Sequence, residues 1–178
     1  NTLSQIRKAF TIDFDQKYLA DEITDFPYEE ILKQIRKDTA INADFIEELL
    51  NTQKDSKYSF SILSLIYPYL DYKNNNFHKD HLHPESKFSD LSDSDKTKYS
   101  WGQYNSICNL QMLDANENMS KNGKSLNEWV EKEVKTKDRT TFLENHLIPD
   151  VDLELNNFDN FYTSRKKILT IKLTDLLS

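Results

Sequence analysis

The chain has 178 residues, a formal net charge of −7, 37% hydrophobic residues and 12% aromatic residues. That length fits a single domain, 1–178, with a buried core. The acidic balance excludes a simple basic DNA-coating protein but not an enzyme that gathers a local basic groove. Two glycines and four prolines argue for helices and against an all-β sandwich, which needs many tight turns.

In chain order, "FPYEEILKQIRKDTAINADFIEELLNT" carries apolar residues at helical spacing and predicts two helices, roughly 28–38 and 43–53. "YSFSILSLIYPYL" is almost wholly apolar, which predicts a buried helix bent or ended near Pro68. The polar turn "DYKNNN" leads into "FHKDHLHPES", which holds three of the four histidines in the chain. From Glu85 to Ser100 the chain is Ser- and Asp-rich, a loop or short surface helix. "YNSICNLQML" predicts a strand with Ile107, Leu110 and Met112 among its apolar members. "DANENMSKNGK" predicts a short helix with Asp114 near its start and Gly123 as its stop. "SLNEWVEKEV" carries a capping box, Ser125 and Glu128, with Leu126, Trp129 and Val130 on one face. The tail predicts an amphipathic helix whose stripe is Phe161, Ile168, Leu169, Leu173 and Leu176. No stretch approaches the roughly 18 apolar residues of a membrane span, and no signal-peptide pattern opens the chain. The single cysteine, Cys108, allows no internal disulfide and fits a reducing cytoplasm. A first residue, Asn1, that is not methionine reads as a fragment cut from a longer protein.

The chemistry-bearing residues fall in two clusters, "KDHLHP" at 79–84 and "NLQMLDANENMSKNGK" at 109–124. The expected order is strand, loop, strand, helix, with His and Asp on the first strand and Asn on the later elements. "DHLHP" followed by "NLQMLDANENMSK" resembles the HNH (His-Me finger) endonuclease module. More narrowly it resembles the C-terminal, His-x-x-Pro domain of GmrSD-type, type IV restriction enzymes, with His81 to Pro84 supplying that motif. The resemblance covers the chain from about Ser59 onward. It implies an α+β domain, mostly helical, with an embedded ββα-metal hairpin-helix at about 76–123.

By that resemblance His81 corresponds to the general base and Asn109 to the central Asn that braces the loop and the base. Asp80 and Asn118 correspond to the ligands of one divalent ion, Mg²⁺ or Mn²⁺. Lys121 sits where a phosphate-binding cation would lie, and His83 is a second-tier candidate, pointing the same way as His81 if residues 81–83 stay extended. The residue types suit phosphodiester hydrolysis. A neutral imidazole takes a proton from water near neutral pH, and a carboxylate with an amide holds an ion that keeps several waters. The resemblance further implies DNA as partner, an N-terminal nucleotide-hydrolysing domain in the full-length protein, and a role against foreign or modified DNA.

Other readings compete with this one. A zinc-dependent hydrolase with a non-nucleic substrate, its ligands drawn from His78, Asp80, His81 and His83, has poor histidine parity for one site on a strand and leaves the Asn cluster unexplained. A degenerate nuclease fold kept as a DNA- or protein-binding module fits the acidic balance. Asn116 and Asn122 lie close to Asn118 and imitate its spacing. His78 has the opposite parity to His81 and reads as a surface residue; His146 reads as structural. The basic runs "KEVKTKDR" and "SRKK" read as solvated helix faces that a DNA groove could recruit.

Overall fold

A computed structural model of the chain describes residues 42–177, which lie within one compact unit, Ile41–Ser178. The expected helix at 28–38 lies outside the described residues. Among the described residues the architecture is helix-rich with one two-stranded antiparallel sheet, an α+β arrangement. Among the described residues no helix is long and apolar enough to cross a membrane.

The first helix, α1 (Ala43–Leu50), starts where the Asn42 side chain accepts the Phe45 N–H, filling an amide that the helix cannot pair itself. It buries Ile46 and Leu50, one turn apart. α2 (Ser59–Ile66) ends before Pro68, whose ring cannot follow a helical residue. Its near-continuous apolar sequence buries one face only. Ile62, Leu63 and Ile66 go inward, while Phe60 and Leu65 stay exposed.

β1 (Phe77–His81) pairs with β2 (Leu110–Asp114) in the register Phe77↔Asp114 to His81↔Leu110, so Asp80 lies opposite Gln111. The strand expected over 104–113 begins only at Leu110. Before it, "WGQY" forms the short helix α4 (Trp101–Tyr104), preceded by α3 (Asp93–Lys98), and 107–109 coil as a single 3-10 turn. Directly after β2, the Asp114 carboxylate accepts the Asn116 and Glu117 amides and starts α5 (Ala115–Lys121). α5 ends on left-handed residues, Asn122 (φ 38°) and Gly123 (φ 73°), and packs back across both strands. The positive φ at Gly123 is one that glycine adopts without strain.

α6 (Leu126–Glu133) carries the expected Ser125–Glu128 capping box and buries Leu126, Trp129 and Val130. α7 (Arg139–His146) and the long α8 (Phe158–Leu177) complete the unit. The buried stripe of α8 differs from the predicted one. It comprises Phe158, Phe161, Tyr162, Arg165, Leu169 and Leu173, while Ile168 is half-buried and Leu176 is exposed. Arg165 is wholly buried and Lys166 half-buried, so of the cations in "SRKK" Lys167 alone is exposed. Its guanidinium donates to the carbonyls of His146 (2.9 Å), Leu147 (2.5 Å) and Leu110 (2.8 Å) and to the Tyr67 hydroxyl (3.0 Å). A cation at the C-terminal carbonyls of α7 is favoured by their partial negative charge, and four neutral acceptors offset part of its desolvation. Arg165 thus ties α7, α8, α2 and the sheet together.

Candidate functional site

The pairing of β1 with β2 and the return of α5 bring Asp80, His81, Asn109 and Lys121 together. His81 ends β1 with only 2% of its surface exposed. Its Nε2 lies 2.9 Å from Asn105 Oδ1 and its Nδ1 lies 3.5 Å from Lys54 Nζ and 4.0 Å from Glu85 Oε2. Asn105 Nδ2 points to Asp55, so the amide oxygen faces the ring. An oxygen acceptor at Nε2 makes that nitrogen the protonated one and leaves the lone pair on Nδ1. Lys54 arrives because residues 52–54 run antiparallel to 105–107: Gln53 bridges Ser106, and the Lys54 amide donates to the Asn105 carbonyl. Burial, and then the Lys54 cation, hold the His81 imidazole below its ordinary range, opposed by Asn105, Glu85 and Asp80. The ring is therefore neutral at neutral pH, the form that accepts a proton.

Asn109 is fully buried and spends its amide on three backbone partners. It accepts the His83 N–H (2.9 Å) and donates to the carbonyls of His83 (3.1 Å) and Tyr104 (3.0 Å). The Leu82 amide donates to the Asn109 carbonyl (2.8 Å), and the Tyr104 hydroxyl to the Pro84 carbonyl (2.9 Å). These bonds clamp the "LHP" loop beside His81 and explain why one buried amide is tolerated in the core.

His83 does not join His81. β1 ends at His81, so the alternation that would have aligned the two rings stops there. The His83 ring packs edge-on against Phe161 (4.5 Å between centroids) and Phe158 (5.4 Å), and its Nε2 has no hydrogen-bond partner. Burial pushes its pKa down to about 3. It is a core residue that packs as an aromatic.

Lys121 is 2% exposed, donates to the His81 carbonyl (2.5 Å) and pairs with Asp80 Oδ2 at 2.8 Å. Burial lowers the Lys121 pKa and Asp80 opposes that shift. Gln111 Nε2 lies 3.4 Å from the same Asp80 oxygen. The other Asp80 oxygen has no hydrogen bond to a described residue, and the side chain is 24% exposed. Asn118 is half-buried, one turn before Lys121 on the same side of α5. Its side chain makes no hydrogen bond to a described residue. A free carboxylate oxygen and a free amide suit a hard divalent ion that keeps most of its water, with Lys121 as competing charge. The described residues bring no group of three or more His, Cys, Asp or Glu together as a metal set. The zinc set considered above therefore has no geometry among them: His78 is exposed on β1, and His83 is in the core.

Sequence reasoning missed Lys54, Glu85, Asn105 and Gln111. Glu85 lies four residues after His81, at the far end of the "LHP" loop, where the chain turns back toward the ring. Lys54 and Asn105 meet the ring only through a single bridge between segments about fifty residues apart. Of the two basic runs, Lys166 pairs with Glu47, Lys137 with Glu133 and Arg139 with Asp150. No protein-family model matches the chain, and no curated protein matches it.

Proposed function

We propose that the chain is a divalent-metal-dependent endonuclease of the His-Me finger type that hydrolyses DNA phosphodiester bonds. The observation that carries this reading is His81 itself, a neutral imidazole pinned through Nε2–H to Asn105, with its lone pair on Nδ1 and Asp80 next to it. His81 Nδ1 takes a proton from water, the water oxygen forms a bond to phosphorus, and the bond from phosphorus to the 3′ oxygen breaks. Asn105 holds the ring in the competent tautomer, and Asn109 holds the loop that follows it. Lys54 keeps the base neutral before the step, and Glu85 stabilises the imidazolium after it. Asp80 and Asn118 would hold Mg²⁺ or Mn²⁺, which supplies Lewis-acid stabilisation of the phosphate and leaving oxygen. Lys121 keeps the strand end rigid through Asp80 and the His81 carbonyl. In this reading the protein works in the cytoplasm against foreign or modified DNA, beside an N-terminal nucleotide-hydrolysing domain.

One observation favours a second reading. The Lys121 ammonium already neutralises Asp80, which suits a nuclease fold that binds DNA without cutting it. Plasmid nicking separates the two: wild type and His81→Ala are compared with Mg²⁺, Mn²⁺ or EDTA. Nicking that needs metal and disappears in the variant supports the nuclease. Plasmid binding without nicking under either metal supports the binding module.

A further inference from the structure

The two tryptophans of the chain are placed differently. Trp129 is wholly buried, whereas Trp101 leaves 37% of its surface open. An exposed aromatic is ordinary when it stands alone, and Trp101 does not. The centre of its indole lies 6.2 Å from that of the His81 imidazole, with 42° between the planes. Its ring is also held in place: Phe88 meets it edge-on at 5.2 Å and Tyr104 lies nearly parallel to it at 6.1 Å. Tyr104 is itself buried, fixed by its hydroxyl on the Pro84 carbonyl and stacked on Phe158 at 5.0 Å. The open indole is therefore a pre-positioned surface for another flat ring.

A second observation is electrostatic. Lys121 is spent on Asp80 and the His81 carbonyl, and Lys79 on the Lys54 carbonyl and the Ser59 hydroxyl. Lys54 forms no ion pair with a described residue, and its ammonium rests 3.5 Å from His81 Nδ1. Two carboxylates temper that charge: Glu85, 4.0 Å from the same nitrogen, and Asp80, which Lys121 already neutralises. One local packing brings both features to the ring, because the Gln53 side chain, next to Lys54, lies against Gly102, next to Trp101. An imidazole, an available ammonium and an open indole thus meet in one place. A phosphate suits the first two and a nucleobase the third.

We propose that Trp101 and Lys54 form a subsite for one unpaired nucleotide of a DNA strand, its base stacked on the indole and its phosphate on the Lys54 ammonium. In a duplex both faces of a base are covered by its neighbours. The indole therefore takes a base that has left the helix or lies on a single strand. Every base has a π-face, so the subsite selects the form of the strand and not its sequence. The inference deepens the proposed function by naming the form of the substrate, and it rests on that reading in placing a phosphate at His81.

Titrations of the whole chain in EDTA test this without cleavage, using oligo-dT, a duplex of the same length and an abasic strand of the same length. Oligo-dT is expected to quench the tryptophan fluorescence, which reports Trp101 because Trp129 is sealed in the core. The duplex and the abasic strand are expected to leave it unchanged. Anisotropy of labelled strands should show oligo-dT bound about ten-fold more tightly than the abasic strand, the scale of one stacked base. Trp101→Leu is expected to erase that preference and Trp101→Phe to keep part of it. Lys54→Met should weaken both strands alike and lower the salt slope by about 0.7, the share of one phosphate contact on a single strand. Quenching by duplex as strong as by oligo-dT, equal binding of oligo-dT and the abasic strand, or a preference that survives in Trp101→Leu overturns the inference. So does an unchanged salt slope in Lys54→Met, or no binding up to ~10⁻⁴ M strand, the weak end of non-specific binding. Plasmid nicking reads the other question separately. A chain that stacks the strand but never nicks keeps this subsite and loses the nuclease; one that nicks through His81 without quenching keeps the nuclease and loses the subsite.

Discussion

His81 and His146 are built alike and placed differently. Each imidazole is buried, each has one nitrogen against a side-chain amide oxygen (Asn105 or Gln111), and each has the other nitrogen near a carboxylate (Glu85 or Glu117). They use opposite tautomers: His81 leaves its lone pair on Nδ1, His146 on Nε2. Their neighbours also differ. His81 adjoins Lys54, Asp80 and the Lys121 ion pair at the end of a strand, with the largely exposed Glu85 carboxylate 4.0 Å from Nδ1. His146 sits between Trp129 (5.0 Å) and Phe142 (4.5 Å) at the end of a helix whose carbonyls Arg165 occupies. A pinned imidazole thus occurs twice in the unit, each ring held below its ordinary range by burial and a nearby cation, and the two differ in the elements and charged groups packed around them.

The largest expected effect is on cleavage. His81→Ala should lower the nicking rate by about 10²–10⁴-fold, the usual contribution of a general base, while His146→Phe leaves it within a few-fold. Equal losses in the two variants would erase the distinction drawn between these centres; plasmid nicking time courses decide. Next comes Arg165→Met, which leaves the His146, Leu147 and Leu110 carbonyls without their donor. Urea unfolding should show a loss of about 3 kcal/mol, since buried groups that lose a charged partner are costly. A loss within ~0.5 kcal/mol, the range of ordinary surface changes, would mean that the guanidinium does not hold the elements together.

Asn109→Ala should cost about 2 kcal/mol from the unpaired His83 and Tyr104 backbone groups, and should slow nicking as well, because the loop beside His81 loosens. Stability lost with nicking intact would make Asn109 a core amide alone. The gentlest test is acid titration of stability. His146 at about 4 and His83 at about 3 both lie below the ordinary histidine value, so the unfolded chain binds protons first. The stability they contribute is complete above pH ~6.5 and falls as the pH drops toward 4 and then 3, by up to ~1.4 kcal/mol per pH unit for each ring. Replacing His83 with Phe, which suits its place beside Phe158 and Phe161, should flatten that slope in denaturant titrations between pH 6 and pH 4. An unchanged slope would mean that His83 is not held neutral by its burial.

Local features were the most legible part of this chain. The Asp114 cap, the Ser125–Glu128 box, the Gly123 stop and the end of α2 before Pro68 are each determined within a few residues, and each forms where the pattern places it. Asp80, His81, Asn109 and Lys121 were legible as candidates only through the resemblance that "DHLHP" and "NLQMLDANENMSK" carry. The final helix was misread because periodicity counts Arg165 as polar and Leu176 as apolar. Burial is decided instead by whether acceptors are waiting, and four of them wait for Arg165.

By itself, then, the sequence determined the helix-rich α+β character, the local caps and stops, and the two clusters from which the candidate site is drawn. Tertiary structure alone decided which nitrogen of His81 bears the proton, that Lys54 and Asn105 surround it, that His83 belongs to the core, and that Gln111 lies between two histidine centres. The physical reason is range. Capping and periodicity act over one or two turns of chain, whereas hydrogen-bond satisfaction of a buried polar group is settled by partners from whichever distant segment the packing brings within 3 Å or so.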